Sequence, residues 1–81
     1  ALNNCYPSAS RRLNEEGRVV MVVTISIYGQ MMHAHLAQSS GFSRLDEAAV
    51  CVLRQLTFNP GTQDGQPVES QATMPITFRL E

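Results

Sequence analysis

Few side chains in this 81-residue chain have the type and spacing to do chemistry. Ser39, His35 and Asp46 supply on paper a nucleophile, a base and an orienting carboxylate. No nucleophile elbow, oxyanion cradle or pocket accompanies them, so the chain reads as a non-enzyme. His33 and His35 are two residues apart in a segment of strand character, hence on one face, where two imidazoles make a partial ligand set for zinc or copper. No third ligand stands at a suitable spacing, and the reading is of solvent-facing polar residues with no metal and no cofactor. Cys5 and Cys51 fit no metal spacing and are too few for a disulfide scaffold. Cys51 falls opposite an apolar helical stripe, which predicts an exposed free thiol; a bridge to Cys5 requires an oxidising compartment.

Charge narrows the partners. Six basic residues, all arginine, against seven carboxylates leave a formal net charge of −1. Such a balance builds no field to concentrate nucleic acid or an anionic membrane. No apolar run reaches the ~18–20 residues that span a bilayer, and the start of the chain lacks a signal-peptide layout, so an anchoring or exporting segment would lie outside this chain. One small domain is expected, burying only about 60% of its unfolded surface.

The elements that position these residues follow from periodicity. Tyr6, Ala9 or Ser10, and Leu13 recur at helical spacing after Pro7, predicting a first helix from Pro7 to Glu15 that Gly17 ends. From Arg18 to Ile27 β-branched residues alternate, with Val19, Met21, Val23 and Ile25 on one face. Tyr28-Gly29 turns this strand into a second, Met31 to Gln38. Ser39-Ser40-Gly41 closes that strand, and Ser43 with Asp46 forms an S-x-x-D box that starts a second helix. Leu45, Ala48, Ala49, Val52, Leu53 and Leu56 give this helix one broad apolar face. Pro60-Gly61 stops it, and Gln63-Asp64-Gly65 turns the chain back.

A third strand alternates Ala72, Met74, Ile76, Phe78 and Leu80 with outward residues. Pro75 has no N–H for a ladder, which assigns this strand to a sheet edge. The order α-β-β-α-β, with a crossover between the second and third strands, predicts an α+β fold: a three-stranded antiparallel sheet of order 2-1-3 with both helices on one face.

The stretches "YPSASRRLNEEGRVV" (6–20), "SSGFSRLDEAAV" (39–50), "FNPGTQDGQPV" (58–68) and "MPITFRL" (74–80) occur in the order and at about the spacing of one family. The chain resembles the C-terminal domain of TonB energy transducers of Gram-negative bacteria over nearly its whole length. It departs from that pattern at Gln55-Leu56, where an Arg-Trp pair is usual, and at Tyr28-Gly29, where Asp-Gly is usual. "MMHAHLA" at 31–37 is also unusual for the family's second strand, and Leu56 is expected to fill core volume with less aromatic area.

The resemblance implies residues 1–5 as the end of a linker and 6–81 as the domain. It implies an inner-membrane anchor with this domain in the periplasm, ExbB and ExbD as partners through the anchoring segment, and an outer-membrane transporter for siderophores, haem or similar nutrients as the object gripped. The grip is strand addition of the transporter's TonB box to the edge formed by Thr73, Met74, Pro75, Ile76, Thr77, Phe78 and Arg79. Arg11 and Arg12 on the first helix are secondary contacts, weighed against ordinary solubility charges. Two rivals are an adaptor serving another envelope machine and a homodimer in which the same edges pair with a second copy.

Overall fold

The structure, a computed structural model, describes residues 5–80. Its elements are α1 (Ser8–Arg12), β1 (Gly17–Ile25), β2 (Met31–Gln38), α2 (Ser43–Arg54), β3 (Gly61–Gln63), β4 (Gln66–Val68) and β5 (Ser70–Phe78). The main sheet has the order β2-β1-β5 with both pairings antiparallel, as the crossover argument requires. α2 lies over β1 and β2. Val19, Met21, Val23 and Ile25 of β1, with Ile76 and Phe78 of β5, pack against Leu45, Ala48, Ala49, Val52 and Leu53 of α2. Ala48 and Ala49 are small enough to let the helix backbone approach the strands.

The first helix is shorter than its periodicity predicts. It ends at Arg12 because Asn14 takes a left-handed conformation (φ 56°). The Glu15 amide then donates to the Ser10 carbonyl at 2.8 Å and the Asn14 amide to the Arg11 carbonyl at 3.3 Å, the paired closure of a Schellman motif. Gly17, expected to stop the helix, opens β1 instead.

β1 stops two residues early. The Ser26 hydroxyl accepts the Tyr28 and Gln30 amides, each at 3.2 Å, so the turn spans 26–30 instead of two residues. Gly29 (φ 82°) is required there for a second reason. The Phe58 amide donates to its carbonyl at 3.1 Å, and a Cβ would sit 2.3 Å from the Phe58 carbonyl oxygen.

The box at the start of α2 is not formed as expected. Phe42 is the N-cap and has no side-chain cap; Ser43 is the first helical residue. Asp46 reaches further back and accepts the Ser39 hydroxyl (2.5 Å), the Ser40 hydroxyl (2.8 Å) and the Ser40 amide (2.9 Å). The helix stops at Arg54, so Leu56 leaves the apolar stripe and is 40% exposed in the following loop, where it fills no core volume. The turn at Asp64 (φ 51°) and Gly65 (φ 79°) closes a small hairpin, β3–β4, that the sequence reading shows only as a reversal.

Cys51 is not a free thiol. It is joined to Cys5 by a disulfide with the Cα atoms 5.6 Å apart. Cys5 is 6% exposed and belongs to the core, so the flank of α2 opposite its stripe is covered by the chain that precedes α1. The Gln55 amide donates to the Cys5 sulfur at 2.9 Å.

Candidate partner-binding edge

β5 is bonded to β1 along its whole length, from Gly17 opposite Phe78 to Ile25 opposite Ser70, without a register shift. Its other side pairs with no strand among the described residues. Thr73, Pro75, Thr77 and Arg79 are exposed, Met74 is half-buried, and Ile76 and Phe78 are buried towards α2. The strand ends at Phe78, so Arg79 lies just beyond it. Pro75 stands opposite Val20. It cannot donate, so the hydrogen-bond row on the side its nitrogen faces has one gap.

The sheet has a second edge, β2, and the two differ. The β1–β2 register shifts at Val20/Met21 and again at Thr24/Ile25, skipping Ala37 and Met32. Irregularities of this kind bend a strand and interrupt its row of free donors and acceptors, which blunts an edge. β5 is the edge whose pairing runs without a register shift. Sequence periodicity does not see this difference, because the alternation of β2 reads as regular.

What lies behind β5 holds it firmly. The Tyr6 ring meets Phe78 edge-on with centroids 5.5 Å apart, and its hydroxyl donates to the Glu15 carbonyl. Burial raises the Tyr6 phenol above its ordinary value; Glu16 and Glu15 add to this and Arg11 opposes it, so the hydroxyl stays a neutral donor. The Arg11 guanidinium lies over the same ring, 4.9 Å from its centroid. Arg11 is thereby part of the brace behind Phe78, while Arg12 is exposed on the last turn of α1. Glu15, 7% exposed, accepts the Ser10 hydroxyl at 2.7 Å and pairs with Arg44 at 2.9 Å, which fastens α1 to the start of α2.

The residues first considered for chemistry are not assembled. The Ser39 hydroxyl is donated directly to Asp46, and His35 stands on β2 opposite Val22. His33 Nε2 is 3.1 Å from the Thr24 hydroxyl. Among the described residues no group of three or more His, Cys, Asp or Glu is placed to hold a metal, and no helix is long and apolar enough to cross a membrane.

The family described as the C-terminal of the Gram-negative bacterial TonB protein matches residues 3–80. This chain belongs to that TonB C-terminal family. It is 34% identical over 76 residues to Protein TonB of Vibrio cholerae, covering 94% of this chain and 31% of the relative. It is 29% identical over 75 residues to Protein tonB2 of Pseudomonas aeruginosa, covering 93% and 28%. A 44-residue stretch is 46% identical to Protein TonB of Neisseria meningitidis serogroup C, covering 54% and 16%. The chain spans less than a third of the length of these TonB relatives.

Proposed function

We propose that this chain is the periplasmic gripping domain of a TonB-type energy transducer. It takes the TonB box of an outer-membrane transporter as an added strand along Thr73 to Arg79. Through that grip it couples the inner-membrane proton-motive force to uptake of siderophores, haem or similar nutrients. ExbB and ExbD act through the anchoring segment of the whole protein, and Arg11 and Arg12 are secondary contacts for the transporter. The domain contributes hold, not catalysis.

The observation that carries this reading is the free and unshifted edge of β5 beside the irregular edge of β2. Backbone pairing gives affinity that depends little on the guest's side chains, which suits a domain serving several transporters. Each added hydrogen bond contributes about 0.5–1.5 kcal/mol net, so a short guest binds modestly, and bonds loaded in shear share a pull.

The test is an amide NMR titration with a peptide carrying a transporter's TonB box, beside a scrambled control. Selective shifts along 73–79 support the reading; their absence at millimolar peptide overturns it. Pairing with a second copy has one supporting observation, the exposed Met32 and Leu36 on β2. Concentration-dependent sedimentation decides that rival.

A further inference from the structure

The end of β5 carries a feature that edge pairing does not use. On the outer face of the sheet, away from α2, an open cleft of about 430 Å³ is lined by Glu16, Gly17, Arg18, Thr77, Phe78 and Arg79. Arg18 stands opposite Thr77 across the β1–β5 pairing, and Arg79 is the next residue of the same parity. Both arginines are exposed, and neither has an ion pair or hydrogen bond among the described residues. The one carboxylate among the described residues of the cleft, Glu16, accepts the Leu80 amide through its Oε2 at 2.5 Å, and against two guanidiniums it leaves one positive charge in excess. Two unpaired guanidiniums and a threonine hydroxyl thus face a cleft with excess positive charge, on a chain whose net charge is −1.

The position gives this charge a use. A strand added to β5 lies one interstrand spacing away, about 4.8 Å, and the outward side chains at its end fall within reach of Arg79 and, across β5, of Arg18. Guanidinium forks are matched to carboxylates, which accept two parallel N–H bonds.

We propose that this cleft is a specificity site for an acidic side chain of the guest, located where the guest passes the C-terminal end of β5. The inference rests on the strand-capture reading. It adds a polarity mark: a guest parallel to β5 brings its C-terminal flank to Arg18 and Arg79, and an antiparallel guest brings its N-terminal flank. Pairing along the edge supplies the hold, and the arginines choose among guests and select their direction.

The experiment uses three synthetic peptides with one neutral β-forming centre. One carries Asp residues before the centre, one carries them after it, and one carries Asn at both ends. Binding is followed by amide shifts along β5 at low salt. One Asp peptide binds about threefold more tightly than the Asn peptide, the size expected of an exposed charge pair. The gain disappears in the Arg18→Gln/Arg79→Gln double variant and fades at about 1 M salt, where the Debye length falls to about 3 Å. An Arg18→Gln single variant, altered on β1 and outside the 73–79 edge, loses most of the gain while binding the Asn peptide unchanged, and matching melting curves show that both variants are folded. If both Asp peptides bind no better than the Asn peptide, or the gain survives in the double variant, the acidic-site inference is overturned while strand capture stands. If no peptide shifts the β5 amides, strand capture fails and this inference fails with it.

Discussion

Glu15 and Arg44 form an ion pair of 2.9 Å between the end of the α1 turn and the first turn of α2, and the same carboxylate accepts the fully buried Ser10 hydroxyl. Glu15→Ala therefore leaves a buried hydroxyl without a partner as well as an arginine without a counter-ion. The expected cost is about 1–3 kcal/mol. Arg44→Ala removes only the half-exposed partner and costs about 1 kcal/mol or less. Thermal unfolding of both variants checks the ranking, and equal melting temperatures would contradict it.

The Cys5–Cys51 disulfide closes a loop of 46 residues' separation. Chain entropy alone assigns such a cross-link about 4 kcal/mol, large for a domain of this size. Denaturant melts with and without a reducing agent, and of the Cys5→Ser/Cys51→Ser variant, should place both the reduced and the variant protein well below the oxidised one. Superimposed curves would show that the core holds this flank of α2 without the bond.

Asp46 sets a pH dependence with a definite sign. Its partial burial disfavours the charge, but the hydrogen bonds from the Ser39 hydroxyl, the Ser40 amide and the Ser40 hydroxyl outweigh this and hold its carboxyl below the ordinary value. A group with a lowered folded pKa contributes stability above its unfolded value of about 3.9 and loses it as pH falls through the folded value. The wild type should melt higher than Asp46→Ala at neutral pH, and the gap should close as pH falls below about 4. A gap independent of pH would assign the effect to something other than this carboxylate.

A proline scan of β5 distinguishes its two sides. Successive strand residues point their amides in opposite directions, one towards β1 and the next outwards. Of Thr73→Pro and Met74→Pro, one should remove a β1 ladder bond and lower stability. The other should leave stability closer to wild type and weaken a guest strand by about 2- to 12-fold, the loss of one hydrogen bond. Circular dichroism melts and peptide titration on each variant read the two effects separately. If both variants lose stability and neither loses guest affinity selectively, β5 is not the capturing edge.

Short-range pattern determined much of this protein. The β1 alternation of Val19, Met21, Val23 and Ile25, the α2 stripe from Leu45 to Leu53, and the missing N–H of Pro75 are legible because each rests on neighbours a few residues apart. From them follow the strand order and the assignment of β5 to an edge. Four features depend on long-range placement. Asp46 bonds to Ser39 and Ser40 because the end of β2 is folded over the first turn of α2. Cys51 is covered because Cys5 is laid across the flank of the helix that sequence leaves to solvent. Leu56 is excluded from the core because α2 ends at Arg54, two residues before the last position of its stripe. Arg18 and Arg79, 61 positions apart by their numbers, share a cleft because the antiparallel register sets Arg18 opposite Thr77. Periodicity reports which face a residue takes on its own element. Register shifts, cross-links and converging charges are properties of two elements together, so only the tertiary structure decided that β5, not β2, is the edge without a register shift.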